Sequence, residues 1–178
     1  MKYFDELKRS MDFLAEDSRT LFIGQAVEVA GTAMSNTLVN IPIGKRLELP
    51  VAEEMQMGMA LGMGLQGLIP ISIYPRWNFL LLAINQLVNH IDKIDFMSGG
   101  GYTPKLIIRT GIGSERPLHP QNQHVGDFTK AIQQMCTTVE IIRLEEPKDI
   151  FPSYEKALLR NDRRNTILVE YGDYYNEK

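Results

Sequence analysis

The chain has 178 residues, 44% of them hydrophobic and 23% charged, with a net charge of −3. These figures suit one domain with a full core and leave no basic footprint for nucleic acid. The longest apolar run, residues 79–84, is far too short to span a bilayer, so neither nucleic acid nor a membrane is an expected partner.

In chain order, Phe4, Leu7, Met11 and Leu14 recur at helical spacing and predict an amphipathic helix over residues 3–16. Residues 20–24 read as a short buried strand ending at a glycine. Residues 27–43 have no firm period, and 46–51 alternate like a short extended segment. Residues 53–67 read as a helix despite their glycines. A strand follows over 68–74, with Pro70 belonging at its start. Residues 76–97 are expected to form the longest helix, with Trp77, Leu80, Leu81, Ile84, Leu87, Val88, Ile91 and Ile94 on one apolar face. Ser98-Gly99-Gly100-Gly101 stops it. A strand over 105–110 leads into a loop over 111–123, long enough to expect a functional or mobile segment. A helix over 125–135, a strand over 138–144, a helix over 148–160 and a last strand over 166–171 complete the chain. This alternation predicts a single domain over 1–178, an α/β fold with three layers (α/β/α) and a mostly parallel sheet. Ligands bind such sheets beyond the carboxyl ends of the strands. The single cysteine, Cys136, and the charge-mixed N-terminus, which lacks the apolar core of a signal peptide, point to a cytoplasmic protein.

The segment richest in chemistry is Glu53-Glu54-Met55-Gln56-Met57-Gly58-Met59-Ala60-Leu61-Gly62. A carboxylate at a helix start interacts well with the positive end of the helix dipole. Glycine inside a helix costs about 1 kcal/mol relative to alanine, so Gly58, Gly62 and Gly64 call for a compensation, and close approach of another backbone supplies one. A plainer account, an N-terminal carboxylate on a tightly packed helix, satisfies the same spacing. The clustered methionines Met55, Met57, Met59 and Met63 read as gap-filling core residues or as an adaptable interface.

Several blocks occur together: Pro50-Val51-Ala52-Glu53, then Gly58-Met59-Ala60-Leu61-Gly62, Gly67-Leu68-Ile69-Pro70, Asn85-Gln86-Leu87-Val88-Asn89 with Lys93, Met97-Ser98-Gly99-Gly100, and Gln123-His124. In this order, and over about residues 20–171, they resemble the pyrimidine-binding domain of thiamine diphosphate enzymes. The match is to the N-terminal half of the beta subunit of the 2-oxo acid dehydrogenases of the pyruvate and branched-chain type. The resemblance implies that Glu53 is the activating glutamate, hydrogen-bonded to a ring nitrogen of the cofactor's aminopyrimidine, with the adjacent Glu54 as the fallback. It implies that His124 faces the substrate, whereas His119 is a poorer candidate. Trp77 falls where the family stacks an aromatic ring on the pyrimidine, although a core anchor for the long helix fits it as well. Gly58, Met59 and Gly62 would lie at a subunit seam beside the cofactor.

The resemblance also has gaps. The family's Gly-Asp-Gly and Asn-pair motif for diphosphate and metal is missing, and Gly172-Asp173-Tyr174 does not replace it. Thiamine diphosphate and Mg2+ are therefore the expected cofactors, with the metal held mainly by an alpha-type partner subunit and no metal ligand expected in this chain. A heterotetramer acting on a small molecule is the implied assembly. The family's C-terminal domain is not matched, and residues 25–44 lack its usual Glu-x-Val and Gly-Gly-x-Phe features. The implied reaction is carbon–carbon cleavage or formation next to a carbonyl, first on a 2-oxo acid. A transketolase-like ketose transferase and a non-catalytic assembly subunit are the alternatives.

Overall fold

The computed structural model describes residues 1–116 and 119–177; Pro117 and Leu118, within the expected 111–123 loop, lie outside the described residues. The strands are β1 (Thr20–Gly24), β2 (Arg46–Glu48), β3 (Ile69–Ile73), β4 (Ile107–Ile112), β5 (Val139–Arg143) and β6 (Asn165–Tyr171). They form one sheet in the order β2-β1-β3-β4-β6-β5, and every pairing is parallel. Successive side chains of a strand point to opposite faces, and this divides the core in two. Phe22, Ile107 and Leu168 enter one cluster, while their neighbours Ile23, Ile108 and Ile167 enter the other. Burying each such side chain contributes about 1.5–3 kcal/mol, and apolar residues on both faces are what a sheet covered by helices on both sides requires.

The first face is covered by α1 (Tyr3–Glu16), α6 (Pro147–Leu159) and α7 (Tyr174–Glu177). Of the predicted face of α1, Leu7, Met11 and Leu14 lie in that cluster, whereas Phe4 is only partly buried against it and Tyr3 is the fully buried residue at the helix start. The second face is covered by α2 (Glu53–Leu65), the segment from Trp77 to Ile91 and α5 (Thr129–Met135). The three layers expected from the alternation of elements are therefore present.

The single long helix expected over 76–97 is not. In its place stand α3 (Trp77–Leu80), a 3-10 turn at Leu81–Ala83, a π-helical stretch at Gln86–Ile91 and α4 (Ile94–Met97). The apolar period survives in part: Trp77, Leu80, Leu87 and Ile91 are buried, Ile84, Val88 and Ile94 are half-buried, and Leu81 is exposed. The widened turn has a cause in tertiary structure: Asp92 N–H donates to the Leu87 carbonyl at 2.9 Å, which turns the buried Asp92 carboxylate towards the β5 entry. There it accepts N–H bonds from Thr137, Thr138 and Val139 at 2.8, 2.6 and 3.2 Å. Such π-turns mark places where a local demand overrides the regular helix. The helix expected over 125–135 also starts late, at Thr129, whose N–H is held by the Asp127 carboxylate at 3.0 Å. Among the described residues, no helix is long and apolar enough to cross a membrane.

Candidate functional site

The sheet order creates a switch point. The chain leaves β1 for β2 on one side, and leaves β3 for β4 on the other, so the connections diverge and open a crevice between the carboxyl ends of β1 and β3. Three side chains meet there. Gln25 directly follows β1, Tyr74 directly follows β3, and Glu53 opens α2. Gln25 Nε2 donates to Glu53 Oε1 at 3.2 Å, and the Tyr74 hydroxyl donates to the Glu53 carbonyl at 3.3 Å. Glu53 is 1% exposed. Burial pushes the Tyr74 hydroxyl well above its ordinary pKa; a hydrogen bond with Ser72 opposes this and the nearby Glu53 charge adds to it. Tyr74 therefore stays a neutral donor.

The turn after β1 is held so that Gln25 reaches this point. The Glu48 carboxylate accepts the N–H groups of Ala26, Val27 and Glu28 at 2.6, 2.8 and 2.9 Å. Gly24 has φ +147°, and a Cβ there would lie 2.4 Å from the Ile73 carbonyl oxygen. Only glycine lets β1 and β3 run this close at their ends. Gln56, one turn into α2 on the same buried face as Glu53, donates Nε2 to Ser72 Oγ and the Ile73 carbonyl at 3.0 and 2.9 Å. Its Oε1 is buried without a hydrogen-bond partner among the described residues.

His124 ends a 3-10 turn at Asn122–His124. Arg76 Nη1 donates to its carbonyl at 2.9 Å, and the Phe79 ring lies tilted beside the imidazole with centroids 5.5 Å apart. His124 Nδ1 is buried and has no partner among the described residues. Arg76 is two residues past Tyr74, so one short segment after β3 touches Glu53 with its first side chain and His124 with its third. His119 is exposed, with Nδ1 accepting the Gln121 N–H at 3.1 Å; His90 is exposed on the π-helical stretch.

One expectation needs correction. Trp77 is 0% exposed and belongs to the second core cluster, so neither ring face is open to a ligand and it serves as the core anchor of α3. The aromatic ring beside His124 is that of Phe79. Gly58 and Gly62 both lie on the exposed face of α2, and a Cβ on either meets nothing within 4 Å, so any close approach there would have to come from another chain. The tightly packed glycine is Gly64, whose Cβ would lie 2.8 Å from the Pro104 Cβ. Met59 is half-buried against the second cluster.

Gln25, Tyr74, Arg76 and Phe79 were not expected at the site. Their signal in the sequence is position alone, polar or aromatic residues just past a strand end. Among the described residues, no group of three or more His, Cys, Asp or Glu side chains is placed to hold a metal ion. The chain does fit the aminopyrimidine part of the implied cofactor. A buried carboxylate stands at the switch point, and beside it Gln56 Oε1 is buried with no partner among the described residues. Unpaired buried polar groups of this kind are rare unless something else pairs with them.

Comparison with known proteins bears on the fold. No protein-family model matches the chain. It is 30% identical to the pyruvate dehydrogenase E1 component subunit beta of Gracilaria tenuistipitata var. liui, over 98% of this chain and 54% of that one. It is 42% identical to the same subunit of Porphyra purpurea, over 73% of this chain and 38% of that one. With the chloroplastic subunit beta-3 of Arabidopsis thaliana it shares 29% identity over 74% of this chain and 31% of that one. The chain thus spans about half the length of the first relative and less of the other two. Among solved structures, "Split gene transketolase, inactive beta4 tetramer" superposes with a TM-score of 0.72 at 14% identity, over 94% of this chain and 50% of that one. In fold and in sequence the chain resembles a pyrimidine-binding domain of the thiamine diphosphate type. More particularly, the domain resembles the N-terminal half of the pyruvate dehydrogenase E1 beta subunit.

Proposed function

We propose that this chain is the beta-type subunit of a split thiamine diphosphate enzyme, one that cleaves or forms a carbon–carbon bond next to a carbonyl and acts on a 2-oxo acid. The observation that carries the reading is Glu53, buried at the switch point and hydrogen-bonded by Gln25. The names of the relatives support the substrate class. Thiamine diphosphate, when bound, supplies the carbanion-stabilising chemistry that side chains lack. Glu53 holds a proton at a ring nitrogen of the aminopyrimidine, and Gln25 fixes the carboxylate in place for this. His124, whose buried Nδ1 has no partner among the described residues, exchanges a proton with the substrate oxygen. Phe79 offers an aromatic wall beside it.

An alpha-type subunit supplies the diphosphate and Mg2+ site and completes a heterotetramer, with the stripe of Gly58 and Gly62 on α2 as part of the contact. A cytoplasmic location belongs to the same proposal and is checked by cell fractionation; its support is the unpaired Cys136. The test of the catalytic assignment is Glu53→Gln in the co-expressed pair. Turnover of 2-oxo acid is expected to fall by about 10²–10⁴-fold, the range for loss of a positioned acid–base group, with assembly unchanged on gel filtration. Wild-type turnover by the variant would refute the assignment.

A further inference from the structure

A second concavity lies where β3, β4 and β6 end. Its volume is about 170 Å³, and Met34, Arg76, Ser114, Glu170 and the backbone of Gly172 are among its walls. That space is worth five to six water molecules at roughly 30 Å³ each, enough for a molecule of about six heavy atoms. The backbone wall requires glycine: a Cβ on Gly172 would sit 2.5 Å from the Ser114 nitrogen.

Two charged side chains reach the cavity, and they are not equivalent. Glu170 is already neutralised. Arg109 pairs with both its oxygens, and the hydroxyls of Tyr154 and Tyr175 donate to them as well. Arg76 is half-buried, and among the described residues its side chain makes one hydrogen bond to protein, from Nη1 to the His124 carbonyl, whereas a guanidinium carries five N–H donors. Asp173, the acid whose charge acts on Arg76, is itself held by the N–H groups of Glu115 and Arg116 at 3.1 Å each. The cavity therefore presents a cation whose planar donors match a carboxylate, and the same cation is bonded to the segment that carries His124.

We propose that this cavity is a carboxylate-binding subsite anchored by Arg76, and that it makes the protein select a small 2-oxo acid over a ketose. The carboxylate site stands on the cavity alone; calling its occupant the substrate rests on the thiamine diphosphate reading. Arg76 links the cavity to the segment of His124 through its bond to the His124 main-chain carbonyl.

The test is a titration of the 15N-labelled full chain with pyruvate, followed by NMR. Pyruvate is expected to shift the Gly172 amide and the Arg76 Nε–H saturably, while methyl pyruvate and dihydroxyacetone do not. Arg76→Gln should weaken pyruvate binding by about tenfold or more, as for loss of a charge-assisted bidentate pair, and Arg76→Lys should restore part of it. Ala33→Leu narrows the cavity from another wall and should weaken binding with Arg76 intact, which covers the case in which Arg76→Gln disturbs the fold. Non-saturable shifts, equal binding of the neutral ester, or unchanged affinity in both Arg76→Gln and Ala33→Leu would each overturn the subsite. Glu53→Gln should leave this titration as it is. If Glu53→Gln abolishes turnover of the assembled enzyme but the Arg76 variants bind pyruvate normally, only the subsite falls. If pyruvate binding follows Arg76 but Glu53→Gln turns over normally, only the cofactor reading falls.

Discussion

Asp92 shows how much one residue decides here. It is 1% exposed, accepts three main-chain N–H bonds at the entry to β5, and lies 2.6 Å from Lys93 Nζ. Burial alone drives its pKa up, but the bonds from Lys93, Thr138 and Thr137 outweigh burial and hold the carboxyl below the ordinary range. A carboxyl whose folded pKa is depressed stabilises the fold above its unfolded value, about 3.9, and loses that contribution as pH falls through the folded value. Asp92→Asn turns one acceptor into a donor facing N–H groups and removes the charge beside Lys93. We expect a loss of about 2–4 kcal/mol at pH 7, measured by urea unfolding, with the gap to wild type narrowing below about pH 4. Equal stabilities at pH 7 would show that the N–H bonds do not need the charge. None of this was legible in the sequence, because Asp92 in an apolar helical period reads as an exposed position and its partners are 45–47 residues away. The same holds for Arg109, fully buried in β4 and paired with Glu170 across 61 residues. The place of Glu53 at the head of α2 was legible because its signal is local, an acid at a helix start.

At the scale of elements, α2 carries two faces with different tasks. Glu53, Gln56, Met57, Ala60 and Gly64 form the buried face, and Gly58 and Gly62 lie on the exposed one with nothing above them. In the chain by itself these two glycines are a pure loss of helix propensity. Gly58→Ala and Gly62→Ala should therefore each raise the stability of the isolated chain by roughly 1 kcal/mol, read from urea midpoints. If the stripe faces a partner backbone, the same substitutions weaken co-purification with the alpha-type subunit. Stabilised variants that assemble normally would remove the stripe from the interface. The helical period of α1 and the extent of β1 were read correctly from sequence because each has one continuous apolar pattern and a clear stop. The 76–97 segment was misread because its apolar period was satisfied by a helix that tertiary bonding to Asp92 then broke. Trp77 was placed at the cofactor by resemblance, and burial overrules it.

At the scale of the whole molecule, the proposed two-subunit reading makes this chain one wall of a site. The carboxyl ends of β1 and β3 bring Gln25, Glu53 and Tyr74 together, and the segment after β3 adds Arg76, Phe79 and His124. These groups suit a heterocycle and a small acid. A diphosphate needs other chemistry: positive charge, a bound divalent ion and a loop of main-chain N–H groups. The sequence contains no Gly-Asp-Gly with a following Asn pair to provide them. Much of a diphosphate cofactor's affinity resides in its charged end, so splitting the site splits the binding energy. Isothermal titration of the isolated chain with thiamine diphosphate and Mg2+ should give a Kd weaker than about 100 μM, near −5.5 kcal/mol. Addition of the alpha-type subunit should tighten it by at least about 100-fold, or 2.7 kcal/mol. Thiamine without its phosphates separates the two contributions: it should bind the isolated chain about as well as the diphosphate does, because the missing wall is the one that reads phosphate. Tight, Mg2+-dependent binding by the isolated chain would mean that the diphosphate is held by residues of this chain, and the two-subunit site would have to be abandoned.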